Sequence, residues 1–290
     1  MRIRTAALLA ALALSVAACG GSDEDTTDSA AASPEPAASS FPAGSTMERI
    51  AKAGELKVGT KFDQPLYGEK QLDGSLTGFD IEIAKMVAKS LGVEPKFTEA
   101  VSKNREPFIE NGTVDIVVAT YTINDKRKEV VSFAGPYYLT GQGIMVNKDN
   151  DAIKGKDDLP GKKVCSVEGS TPAERIRTDV PKAQLTTFDT YGKCAEAMKN
   201  GQVDAVTTDE AILLGLVDKS PDDFKTVGRP FSDEPYGIGL KKDDTEFRNY
   251  INDVLQKSYD DGSWEKALKD TVGKVQEELP SPPKIDRYTS

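Results

Sequence analysis

An α/β fold of two similar lobes facing one cleft is predicted by three features of this 290-residue chain. The first is Ile116 to Ala119, a short, partly β-branched apolar run with no solvent face, as in a strand covered on both sides of a parallel sheet. The second is an internal echo: Asn111-Gly112-Thr113-Val114-Asp115-Ile116-Val117 recurs as Asn200-Gly201-Gln202-Val203-Asp204-Ala205-Val206. Each copy is a helix stop followed by a buried strand, and two such units far apart in sequence imply two lobes. The third is what stands at the strand ends: Thr120 and Thr122 after the first copy, Thr207, Thr208 and Asp209 after the second. In open α/β sheets small ligands bind at those carboxyl ends.

In chain order, Arg2 and Arg4 precede an apolar run from Ala6 to Ala18, which closes on Val16-Ala17-Ala18-Cys19. That reads as a signal peptide over 1–18, too short to span a bilayer comfortably, with a lipobox-like end that makes Cys19 a lipidated first residue. Residues 19–45 carry Asp23, Glu24, Asp25, Asp28 and Glu35 without a base, and read as a disordered acidic tether. Leu56 to Thr60 is a first strand, with Lys61 at its end. Gly78 to Leu91 is a helix, with Ile83, Met86, Val87 and Leu91 on one stripe and Gly92 as the stop. A strand near Pro95 to Thr98 and a helix carrying Arg105 follow. Beyond the first copy of the echo, Lys163 to Ser166 is a strand that leads through Glu168 to Pro172 into a helix, with Pro172 suited to its first position, N1. Leu185 to Phe188 is a strand leading to Thr190 and Tyr191; Glu234 to Leu240 is extended; Phe247 to Leu268 is helical, with Trp264 packing. The polar, proline-rich end, 280–290, reads as a flexible tail.

Composition removes several functions. A net charge of −10 argues against nucleic acid as partner. The absence of histidine removes Ser-His-Asp and Cys-His catalysis and the commonest metal ligand. Asp149-Asn150-Asp151 begins like a calcium loop but lacks the later glycine and glutamate, so no metal and no cofactor are expected. With Cys19 lipidated, Cys165 and Cys194 remain in an oxidising compartment; one disulfide is the first reading and two buried thiols the alternative.

Asn124 is positioned as an N-cap, which puts Arg127 in a first helical turn, where the helix dipole favours an acid. Two readings stand: an arginine held for an anionic ligand, or a surface arginine paired with Glu129 or another neighbour.

The chain resembles the extracellular solute-binding proteins of amino-acid ABC transporters, family 3. The resemblance rests on Gly78-Phe79-Asp80-Ile81-Glu82-Ile83 through Leu91, Arg105 with Asn111-Gly112 and Val114-Asp115, Thr122 to Arg127, and Phe133 with Pro136-Tyr137. Gly59 to Pro65, Cys165 to Val167 with Gly169 to Pro172, Asp189 to Tyr191 with Cys194, and Tyr236 to Leu240 further resemble actinobacterial glutamate-binding lipoproteins. The resemblance implies two Rossmann-like lobes with a ligand cleft between them, joined by two hinge strands near Leu139 to Gly143 and Glu234 to Gly237, the type II periplasmic-binding-protein architecture. Lobe 1 would take 46–140 and 238–279, lobe 2 141–237. It also implies roles. Arg127 would hold an α-carboxylate with Thr122 and the N–H groups around Ser170 and Thr171; Asp209 and the Thr120 carbonyl would take an α-ammonium; Lys61 and Arg105 would hold a side-chain carboxylate; Tyr191 would add a polar contact. For Lys61 a solvated loop position, for Arg105 a structural helix-start role and for Asp209 plain helix capping are the alternatives.

The expected function is therefore that of a monomeric, non-enzymatic, lipid-anchored protein on the extracellular face of the membrane. It would close on L-glutamate and deliver it to an ABC permease with its ATPase. Aspartate, asparagine or glutamine as ligand, a cyclohexadienyl-dehydratase-like enzyme on the same fold, and a sensor are the rivals.

Overall fold

The computed structural model describes residues 41–288. The expected signal peptide, Cys19 and the tether up to residue 40 lie outside the described residues. The last stretch of the expected tether, 41–45, is a correction, because it is docked. Phe41 packs edge-on against Tyr250 with ring centroids 5.6 Å apart. Ser45 caps α1 (Thr46–Ala53), its hydroxyl accepting the Glu48 N–H at 3.1 Å.

The first lobe continues with β1 (Glu55–Thr60), β2 (Asp63–Gln64), β3 (Gly68–Lys70), β4 (Leu76–Thr77), α2 (Phe79–Ser90), β5 (Glu94–Glu99), α3 (Arg105–Glu110), β6 (Ile116–Val117), α4 (Asp125–Lys128) and β7 (Val131–Thr140). The second lobe holds β8 (Gln142–Asn147), β9 (Lys163–Val167), α5 (Thr171–Asp179), β10 (Gln184–Phe188), α6 (Tyr191–Lys199), β11 (Ala205–Asp209), α7 (Glu210–Lys219) and β12 (Phe224–Val227). The chain then returns to the first lobe as β13 (Glu234–Lys241), α8 (Thr245–Asp260) and α9 (Ser263–Thr271).

The two main sheets have matching strand patterns, β5-β1-β6-β13-β7 and β10-β9-β11-β8-β12. In each, three strands run parallel and the fourth runs against them: β13 against β6, β8 against β11. The sheets are therefore mixed where the apolar runs predict parallel ones, because the strand on which the chain enters each lobe from the other, β13 or β8, starts at the seam and must run away from it. The parallel strands deliver their carboxyl ends, at Lys61, Thr120, Ser170 and Asp209, to the seam between the lobes. The strand expected over Ile116 to Ala119 is shortened to Ile116–Val117. Val118 still donates its N–H to Gly59, but Thr120 turns left-handed, with φ 43°, and the chain leaves the ladder.

The lobes are joined at Gly141, between β7 and β8, and by the passage from β12 to β13. These two passages touch: a Cβ on Gly141 would overlap the Ser232 carbonyl and Pro230. The lobe 2 boundary expected at 237 moves earlier, since Glu234, Pro235 and Tyr236 already pair with Thr140, Leu139 and Tyr138 in the first sheet.

Burial follows the helical periodicity. Ile83, Val87 and Leu91 of the expected stripe are buried in the core of the first lobe beside Leu56, Ile238 and Trp264. Each such side chain contributes about 1.5–3 kcal/mol on burial, and Trp264 also donates its indole N–H to the Tyr137 carbonyl at 3.0 Å. The expected flexible tail is a second correction over 280–288. Ile285 is in the core, the Asp286 N–H reaches the Gly135 carbonyl, and the Tyr288 hydroxyl accepts the Phe133 N–H at 2.8 Å beneath the Arg248 guanidinium. Two apolar anchors in a polar segment suffice to hold it.

The Cys165–Cys194 disulfide is present and ties β9 to α6 across a sequence separation of 29. Closing a loop of that size stabilises by about 3.6 kcal/mol in the chain-entropy model. The Cys165→Ala/Cys194→Ala pair is accordingly expected to lower unfolding free energy in urea by about that amount; an unchanged midpoint would show that the loop is held by packing alone.

Candidate functional site

Asn124 caps α4 as expected, its side chain accepting the Arg127 N–H at 2.9 Å. The cap turns the Arg127 side chain inward, where it is 7% exposed, and its ion-pair partner is Glu106 at 3.1 Å, not Glu129. Its Nη1 donates to the Thr122 carbonyl at 2.7 Å and its Nη2 crosses the seam to the Gly169 carbonyl at 3.2 Å. Arg105 lies beside it, with Nε on the Ser102 carbonyl, Nη1 on those of Ala119 and Thr120, and Nη2 on Gly169 at 3.4 Å. Both guanidiniums stack on the Tyr121 ring, 4.3 and 4.8 Å from its centroid. Two adjacent cations need a counterweight. Glu106 supplies part of it: burial pushes its carboxyl up, but Arg105 and Arg127 outweigh that and hold it below its ordinary value.

Lys61 is not a solvated loop lysine. It is 3% exposed, and its ammonium makes one hydrogen bond, to the Ser102 hydroxyl at 2.8 Å. Burial, reinforced by Arg105, lowers its pKa to about 7. Arg105 does have the structural role among its alternatives, since most of its donors hold the turn at Ala119 and Thr120. The Thr120 carbonyl, expected to meet an ammonium, faces that guanidinium.

The second lobe brings up the opposing groups. Ser170 caps α5 by accepting the Ala173 N–H, and the Thr171 hydroxyl lies 3.3 Å from that of Thr122 across the seam. Asp209 ends β11 and precedes α7 but makes no capping hydrogen bond. Its Oδ2 accepts the Tyr236 hydroxyl at 2.8 Å, while Oδ1 is buried without a hydrogen-bond partner among the described residues. Burial first, and then Glu234, raises the Asp209 pKa to about 7. Tyr191 is buried with its hydroxyl among Ser166, Ser170 and Thr208, and its N–H reaches Asp63 of the first lobe at 3.0 Å. The nine residues expected in the site thus lie along one seam; a cavity of about 480 Å³ opens at one end of it between Arg127 and Glu106 on one side and Ser170 and Thr171 on the other, and of the nine only Arg127, Ser170 and Thr171 line that cavity.

Three contributors were not expected from the sequence. Asp80, fully buried, accepts the Thr120 N–H at 2.7 Å and the Tyr137 hydroxyl at 2.6 Å, and so holds the left-handed turn in place. Burial raises its pKa to about 7. A signal existed: Asp80 shares the α2 stripe with the buried Ile83, Ala84 and Val87. Gln64 accepts the Thr120 hydroxyl at 2.9 Å. Glu234, 1% exposed on the returning strand, accepts from Thr171, Arg175 and Ser232, tying the crossing to α5.

Residues 56–274 match the family model described as bacterial extracellular solute-binding proteins, family 3. The chain is 43% identical over 233 residues to the glutamate-binding protein GluB of Corynebacterium glutamicum, covering 76% of this chain and 79% of that one. It is 41% identical to the ABC transporter glutamine-binding protein GlnH of Bacillus subtilis, covering 77% and 83%. An ancestral arginine-binding protein solved with glutamine bound superposes with a TM-score of 0.73 at 38% identity, covering 76% of this chain and 98% of that one. With its paired α/β lobes and polar seam, this chain belongs to the bacterial extracellular solute-binding proteins of family 3 and is a binding protein, not an enzyme.

Proposed function

We propose that the protein binds L-glutamate between its lobes and, anchored to the outer face of the membrane through Cys19, delivers it to an ABC permease. One observation carries the ligand: among the described residues a buried lysine without an ion-pair partner, Lys61, shares the seam with a buried carboxylate that has one oxygen without a hydrogen bond, Asp209. Buried charges are costly unless paired. A zwitterion with one extra carboxylate pairs both: its ammonium on Asp209, its α-carboxylate on Arg127, Thr122 and the α5 N-terminus, its side-chain carboxylate on Lys61 beside Arg105. The GluB likeness supports the same choice.

Lys61→Met is expected to weaken L-glutamate by about 10- to 150-fold, the value of one charge-assisted hydrogen bond, and to leave L-glutamine nearly unchanged in calorimetry. Equal losses for both ligands would remove Lys61 from side-chain recognition.

Affinity for glutamate should follow a bell against pH centred near 7. Below it Asp209 takes up a proton and no longer opposes the ammonium; above it Lys61 loses one and no longer pairs the carboxylate. Each limb should fall about tenfold per pH unit, measured by titration at constant ionic strength; a flat profile from pH 5 to 9 contradicts both assignments.

A further inference from the structure

We infer that Gly215, a residue outside the ligand site, sets how far the two lobes close; this rests on the reading of a ligand-driven closure. Gly215 is buried in the middle of α7, where an alanine would make the better helix, and its backbone is not left-handed. Its reason for being glycine lies across the seam. A Cβ there would stand 2.5 Å from the Pro65 carbonyl oxygen and 3.1 Å from the Pro65 Cβ, both on the first lobe.

The Pro65 loop cannot yield cheaply. Pro65 has a fixed φ, Leu66 is held at φ 73°, and the loop is pinned by Tyr67 N–H to the Gln64 carbonyl and Phe79 N–H to the Leu66 carbonyl at 2.8 Å. What can move is the lobe-to-lobe spacing. The same face of α7 carries Lys219, paired with Glu69 of the first lobe at 3.0 Å, and the neighbouring α6 gives its Tyr191 N–H to Asp63. Helix α7 also follows directly on Asp209, so the spacing at Gly215 and the reach of Asp209 toward the first lobe are one rigid-body quantity. Added bulk at Gly215 acts as a wedge: it leaves each lobe intact and opposes only their approach.

The test compares wild type with Gly215→Ala by small-angle scattering, L-glutamate calorimetry and thermal unfolding without ligand. The variant is expected to bind about 10- to 100-fold more weakly, the cost of overpacking a contact. It should stay more expanded than wild type even at saturating glutamate, and should melt without ligand at the same temperature or higher. Contraction and affinity equal to wild type overturn the inference, and so does a lower unliganded melting point, which would mean a damaged helix. If glutamate contracts not even the wild type, the ligand reading fails, and closure is then read without ligand from the Lys103→Cys/Asp189→Cys pair. Lys103 and Asp189 meet across the seam at 2.7 Å. A bis-maleimide should bridge the cysteines faster with Gly215 intact than with Gly215→Ala; equal rates overturn the inference.

Discussion

Arg127→Ala is expected to remove detectable L-glutamate binding in calorimetry, a loss of at least about 100-fold, while the circular dichroism spectrum and unliganded melting point change little. The size follows from what the guanidinium does in one place. It stacks on Tyr121, fixes the Thr122 carbonyl and reaches Gly169 of the other lobe, so it contributes both to the proposed carboxylate site and to the closed seam. The fold should survive because the abandoned partner, Glu106, keeps 22% of its side chain in contact with solvent and is still faced by Arg105. Arg127→Lys should recover only part of the affinity, since an ammonium cannot reproduce the planar fork. Unchanged affinity in the alanine variant would displace the site from this seam.

Asp209→Asn is expected to weaken glutamate by a similar factor, about 100-fold, while stabilising the unliganded protein at pH 8. The amide retains the acceptor for the Tyr236 hydroxyl, so packing is conserved and only the charge is lost. The sign of the stability change follows from the raised pKa. A carboxyl near 7 in the folded state and 3.8 otherwise binds more protons when folded, so its ionisation opposes folding above pH 7. The gain in melting temperature from Asn should therefore be largest above pH 7, shrink as the pH falls from 7 toward 4, and vanish below that. A variant that both binds normally and gains nothing at pH 8 would mean that Asp209 neither meets the ligand nor carries a costly buried charge.

How much of this was legible in the sequence depended on whether a residue's partner lies nearby in the chain. Asn124 was readable as a cap because its partner is three residues away. The α2 stripe and the echo of Asn111 to Val117 were readable because periodicity and repetition are local. Glu234 was not, since its partners Thr171 and Arg175 are about sixty residues distant and meet it only where the crossing strand passes α5. Thr120's left-handed turn was invisible for the same reason: Asp80, which holds it, comes from another helix. The docked segment at 280–288 failed as a prediction because composition averages over a stretch, whereas Ile285 and Tyr288 act singly. Arg127 was flagged by a local conflict with the helix dipole, and the conflict marked a residue committed to tertiary contacts.

The position of β13 between β6 and β7 has a consequence for the order of assembly. The first sheet lacks an interior strand until the chain has passed through all of the second lobe, while every strand of the second sheet lies within 142–227. Contacts of long sequence separation cost more closure entropy before they stabilise anything. The second lobe can therefore consolidate as a contiguous unit, while the first remains an unfinished half-sheet with an open edge until β13 arrives. That interval is when β6 and β7 are most exposed to pairing with the wrong strand.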